Sequence, residues 1–181
     1  MADWAQIARR IRVPLGFAFA ILYIWLAKPT LEFFLIGMIV TIPGILLRAS
    51  ASGYVKKNES LATTGPYAYT RNPLYLGSLI IAIGFALAAR SWWTAAILLV
   101  FFVSVYVPVI HGEEKFLRSR FPEFEKYASE VPRLLPRLTS CNAGQGSFSW
   151  ELYKKHREYN AVIGSLVLWI ALIAKISLAS H

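Results

Sequence analysis

The chain has 181 residues, of which 56% are hydrophobic, and a formal charge of +9 from 19 Lys and Arg against 10 Asp and Glu. That apolar share exceeds the roughly 45–50% of ordinary soluble domains, so the bilayer is the expected solvent. The basic residues lie between apolar runs and form no single stripe interleaved with stacking aromatics, which argues against nucleic acid as a partner. One cysteine, Cys141, excludes an intramolecular disulfide, and His111, His156 and His181 are too scattered for a metal site.

In chain order, apolar runs cover 13–27, 31–47, 73–89, 91–110 and 161–179. Each reads as a membrane-crossing helix, giving an all-α bundle of about five spans in a single membrane domain covering 1–181. Several runs are near the short limit for a hydrocarbon core of about 30 Å, so Arg12, Lys28 and Lys175 are expected to snorkel at their ends. Arg9, Arg10 and Arg12 ahead of the first run also suit a secretory signal, but the run closes on Leu26, Ala27, Lys28 and Pro29 with no clear small-residue cleavage site. It is read as a retained first helix.

Short connections at Lys28-Pro29-Thr30 and Arg90-Ser91 predict two antiparallel hairpins, the first within 1–47. Pro43, beside Gly44, and Pro108 predict kinks in the second and fourth spans. Counting Lys and Arg in the connections puts 16 of 19 on one side, Lys57 among them, and leaves Lys28, Arg90 and Lys175 on the other. By the positive-inside rule the N-terminus and the segments 48–72 and 111–160 are cytoplasmic, and a soluble cofactor would bind there.

Two motifs face that side. The first is Gly65-Pro66-Tyr67 followed by Thr70-Arg71-Asn72-Pro73-Leu74-Tyr75-Leu76-Gly77. Pro73 disfavours helix at Asn72 and suits a first helical position, so Asn72 is the expected N-cap. A helix start beside Arg71 is an anion site, with Gly77 leaving room for a ligand. A capped helix with a snorkelling arginine is the simpler alternative. Gly77, Ile81, Gly84 and Ala88 form a small-residue face that helix packing explains.

The second motif is His111-Gly112-Glu113-Glu114, with Phe116, Leu117, Phe121, Phe124 and Tyr127 beyond it in an amphipathic stretch over 111–136 suited to capping the membrane surface. Adjacent helical residues point about 100° apart, so the two carboxylates should serve different partners. An i, i+4 pair of Glu114 with Arg118 is the plainer reading. Residues 139–149 read as a Gly- and Ser-rich loop. The hairpin of spans three and four brings the motifs to one face, where an anion site opposite a cation site matches a zwitterionic ligand with an extra positive centre, such as S-adenosylmethionine.

The residues Gly65-Pro66-Tyr67, Arg71-Asn72-Pro73-Leu74-Tyr75-Leu76-Gly77, Glu113-Glu114, then Phe121 to Tyr127, Val131-Pro132-Arg133 and Pro136 resemble the isoprenylcysteine carboxyl methyltransferase and phospholipid methyltransferase superfamily. The resemblance covers 65–136, 72 of 181 residues. It implies a cofactor-binding core there, with S-adenosylmethionine held on the cytoplasmic side by Tyr67, Arg71, Asn72, Pro73, Tyr75, Glu113 and Glu114. Arg71, Asn72 and Glu114 are the catalytic candidates. Asn72 stands where many members carry histidine, and its amide cannot take a proton near neutral pH.

The cofactor supplies the electrophile in methyl transfer, so the chain need show no nucleophile of its own. A lipophilic acceptor is expected to reach the site laterally from the surrounding membrane lipids. Arg157, Glu158, Tyr159 and Asn160, in the segment 150–181 that ends in the last helix, are candidates to line that opening. Interfacial anchoring by Trp150 and Tyr153 is the bland alternative. An NADPH-dependent membrane reductase of the sterol reductase type, similar around Gly-Pro-Tyr and Arg-x-Pro-x-Tyr, and a non-catalytic membrane adaptor are the competing functions.

Overall fold

The computed structural model describes residues 4–56, 59–140 and 146–179, and backbone only for 4–6, 8–9 and 11–13. Lys57, Cys141, His181 and part of the 139–149 loop lie outside the described residues. The described chain is all helix and loop, an integral membrane helical bundle. Its helices are α1 (Trp4–Leu26), α2 (Leu31–Ser52), α3 (Pro73–Ala89), α4 (Trp92–Phe101), α5 (Val107–Arg120), α6 (Phe124–Glu130), α7 (Trp150–Lys155) and α8 (Tyr159–Ala179). A 3-10 turn spans Gly65–Ala68, and π-helix over Phe102–Tyr106 joins α4 to α5 in one rod, Trp92–Arg120.

Three helices, α2, the rod and α8, are long and apolar enough to cross a membrane; Pro14–Leu26 and Pro73–Ala89 are shorter apolar helices. At 17 residues, α3 is about 25 Å long, short of a full hydrocarbon core. Phe17, Trp25, Ile39, Leu99 and Ile170 are exposed, as side chains facing lipid would be.

Of the two expected hairpins, that of α3 and α4 forms across the Arg90-Ser91 turn, whereas that of α1 and α2 needs correction. The close partner of α2 is α3, across the long 53–72 connection, while α1 lies against α5, the π segment and α8. Glycine explains the pairing. A Cβ on Gly37 would strike the Gly84 carbonyl and Ala88, and one on Gly44 would come within 2.8 Å of the Gly77 carbonyl. Bare backbone thus faces bare backbone along the small-residue face, whereas Gly16 of α1 has no heavy atom within 4 Å of such a Cβ. Gly77 leaves no ligand space, since its missing Cβ is replaced by Arg48 Cγ, 2.6 Å from that position.

At the end carrying both short turns, Tyr23, Phe34, Phe85, Trp169 and Leu172 form a buried cluster, and the Tyr23 hydroxyl donates to the Phe85 carbonyl at 2.9 Å. Lys28 N–H donates to the Ala89 carbonyl, and Lys175 Nζ donates to the Ile24 and Trp25 carbonyls at 2.6 and 3.0 Å. The three minority cations therefore share one end of the bundle.

Pro43 sits inside a continuous α2. Where Pro108 predicts a kink, the structure has a π segment just before it, with Val107 N–H bonded to the Phe102 carbonyl five residues back. Proline removes one helical donor and crowds the carbonyl four residues back, here that of Ser104. The wider turn takes up that crowding. Beyond α5, Phe121, Phe124, Tyr127 and Val131 bury themselves with Leu117 and Leu61, while Phe116 points outward.

Candidate functional site

At the other end, the start of α3 meets the middle of α5. Pro73 occupies the first helical position and Asn72 the N-cap position, but the Asn72 side chain makes no capping bond. Its Nδ2 donates to Glu114 Oε1 at 3.2 Å and to the Arg133 carbonyl at 2.9 Å. The Glu114 side chain is 4% exposed. Its Oε2 accepts from Arg133 Nε at 3.0 Å and pairs with a terminal nitrogen of the same guanidinium at 2.9 Å, while Oε1 lies 3.5 Å from Arg71 Nε. Two cations and an amide thus converge on one buried carboxylate. Burial of a lone charge is costly, and this convergence is what makes the carboxylate tolerable.

The plainer pairing of Glu114 with Arg118 is not formed. Arg118 bonds Glu125 and lies over the Phe124 ring, 5.5 Å from its centroid, leaving Glu114 turned inward.

Residues 131–137 strap this arrangement down. Arg71 N–H donates to the Pro132 carbonyl and Arg137 N–H to the Tyr69 carbonyl, while Thr70 Oγ1 donates to the Leu134 carbonyl at 3.0 Å. Arg133 also reaches His111 Nε2 at 3.1 Å. Arg71 itself is 12% exposed in its side chain. Its Nε is buried and ion-paired to Glu114 without a hydrogen bond.

Beside this centre stands Tyr67, in the 3-10 turn and buried, its carbonyl accepting from the Tyr127 hydroxyl at 2.7 Å. Burial pushes the Tyr67 phenol well above its ordinary value, and Tyr127, Glu113, Glu158 and Tyr75 add to the rise. Glu114 faces Arg71 and Arg133. Tyr75 is buried with Val105, Val109 and Ile110, its ring edge-on to Tyr106 at 5.7 Å.

Of the four candidates near the last helix, Glu158 reaches the core. It takes a bidentate pair from Arg48 at 2.8 and 2.9 Å, and Arg48 also bonds Ser78 Oγ and the Leu74 carbonyl. Arg157 adopts a left-handed backbone (φ 53°) and, like Tyr159 and Asn160, is exposed. Arg48 and Arg133 carry no motif signal of their own. The faint clues are that Arg48 ends an apolar run one turn after Gly44, and that Arg133 sits between Pro132 and Pro136.

The described chain is an integral membrane helical bundle with a polar centre at its helix ends, and its residues 48–123 match the model of the phospholipid methyltransferase family. That bears out the resemblance carried by the two motifs. Among curated proteins, the chain is 37% identical over 98 residues to the cobalt-zinc-cadmium resistance protein CzcN of Cupriavidus metallidurans, covering 54% of this chain and 44% of that one. It is 35% identical over 116 residues to the nickel-cobalt-cadmium resistance protein NccN of Alcaligenes xylosoxydans xylosoxydans, covering 64% and 54%. The matches thus span about half the length of these relatives. No solved structure matches the chain.

Proposed function

We propose that the protein is an S-adenosylmethionine-dependent methyltransferase acting on a lipophilic acceptor drawn from the bilayer, with its N-terminus and site on the cytoplasmic face. The observation that carries this reading is the convergence of Arg71, Asn72 and Glu114 inside the segment that matches the phospholipid methyltransferase family. The residues fit the cofactor: the Arg71 guanidinium beside the start of α3 suits a carboxylate, and Glu113 or Glu114 suits an ammonium or ribose hydroxyls. When bound, S-adenosylmethionine supplies an electrophilic methyl on its sulfonium. The chain's own contribution is position and a dry setting. Arg71 and the start of α3 hold the anionic end, Tyr67 and Tyr75 wall off water, and Asn72 fixes the Glu114 carboxylate without exchanging a proton. A carboxylate or thiolate acceptor needs no base; for an amine or hydroxyl, His111 or Glu113 is the nearest candidate.

The sidedness of the site rests on the charge bias of the connections. The relatives are named for resistance to cobalt, zinc, cadmium and nickel. Among the described residues, no group of three or more His, Cys, Asp or Glu is placed to hold a metal ion, and this reading assigns the chain no metal ligand set.

The test is incubation of purified protein with methyl-labelled S-adenosylmethionine beside a lipid extract, a prenylcysteine analogue and simple thiols. Label in an organic-soluble product is expected, and label in no fraction refutes catalysis. Calorimetry with S-adenosylmethionine and with NADPH separates the methyltransferase from the reductase. Binding of neither leaves the adaptor.

A further inference from the structure

Away from the polar centre, α3 and α4 enclose between them an apolar groove of about 480 Å³. Small side chains make its walls, Ala82 and Ala86 on α3 opposite Ala95 on α4, with Leu79 and Phe102 at one end. The other end is the Arg90-Ser91 turn, where Arg90 adopts a left-handed backbone (φ 47°) and its guanidinium stands 5.4 Å from the centroid of the Phe33 ring, itself part of the lining.

We infer that this groove binds one acyl chain of an anionic glycerophospholipid, with the lipid phosphate on Arg90. Three observations select that occupant. The lining is hydrocarbon along the length of the groove and polar at the turn, the polarity of a lipid chain and its head. Trp92 and Trp93 follow directly and are 91% and 74% exposed, the exposure of interfacial aromatics, which puts Arg90 at headgroup depth. The charge at that end is positive: Lys28 is adjacent through its N–H bond to the Ala89 carbonyl, and the nearby acid, Glu32, is exposed and outside the lining. The whole of α3, about 25 Å, separates Arg90 from Asn72. A lipid seated here is therefore distinct from the proposed methyl acceptor.

The experiment is native mass spectrometry of the full chain purified in neutral detergent with equal amounts of phosphatidylglycerol and phosphatidylcholine of identical acyl chains. The wild type should retain phosphatidylglycerol about fivefold over phosphatidylcholine, the scale of one basic side chain at a membrane surface. Arg90→Gln should retain both equally. Ala86→Phe and, from the opposite wall, Ala95→Phe fill the groove and should retain neither. Equal retention by the wild type, an undiminished preference in Arg90→Gln, or wild-type retention in a groove-filling variant that folds would each overturn the assignment. Binding of S-adenosylmethionine by Arg90→Gln, expected at wild-type strength, is read separately, so loss of the lipid site and failure of the methyltransferase reading remain distinguishable.

Discussion

Replacing Glu114 by glutamine keeps the shape of the side chain and removes the one negative charge shared by Arg71, Asn72 and Arg133. Arg71 is 12% exposed and would be left as a nearly buried cation facing a neutral amide; breaking a buried pair in this way costs about 3–5 kcal/mol. Arg133 is 47% exposed and can turn to water, so its share is about 0–1 kcal/mol. The new amide can still accept from Asn72, which preserves a bond of about 1 kcal/mol. A net loss of about 3 kcal/mol is expected, measured as unfolding free energy in mixed micelles. The decisive measurement is the cycle with Arg71→Met. Removing both members should cost well under the sum of the single changes, with a coupling of at least about 2 kcal/mol. If the two losses add to within about 0.5 kcal/mol, the 3.5 Å approach of Arg71 to Glu114 carries no energy and the argument fails.

Gly84→Leu should separate α2 from α3, because even a Cβ there meets Thr41 Oγ1 and the Gly37 carbonyl; a destabilisation of about 1–3 kcal/mol is expected in thermal unfolding, and a neutral result would refute close backbone contact. Arg48→Ala leaves Glu158, 11% exposed, without its bidentate partner. It should cost about 2–3 kcal/mol and raise hydrogen exchange at the start of α8. Tyr67 bears on alkaline stability. Its folded-state pKa is raised, so the folded protein keeps a proton that the unfolded chain releases above about pH 10. Stability is intact below that pH and falls by up to about 1.4 kcal/mol per pH unit above it. Tyr67→Phe should make the alkaline slope shallower by that amount, and an unchanged slope would contradict the burial of the phenol.

Much of the fold can be read from periodicity and apolar length alone, because a bilayer forces helix on any chain that crosses it. The helix start at Pro73 and the glycine face of α3 follow from local rules. What stayed hidden was the pairing of α2 with α3. A glycine face announces that something approaches closely without naming the partner, so α2 was not distinguishable from a ligand at Gly77. Asn72 was legible as an N-cap position, but its side chain bonds Glu114, 42 residues away, which no local rule anticipates. Arg48 and Arg133 counted only as charges in the topology sum, since a lone arginine looks the same whether it snorkels or grips a buried carboxylate.

The π segment between α4 and α5 sets a phase. A stretch of π-helix holds about one more residue than α-helix of the same rise, which turns everything beyond it by about 100° relative to an unbroken α-helix. The half of the rod carrying Leu98, Leu99 and Val100 is thereby out of step with the half carrying His111, Glu113 and Glu114. Conformation within 102–106 then matters more than length. Deletion of a single residue there would yield a regular α-helix with Glu114 still facing Arg71 and Asn72, whereas tightening the segment to α-helix at constant length would swing Glu114 away by about 100°.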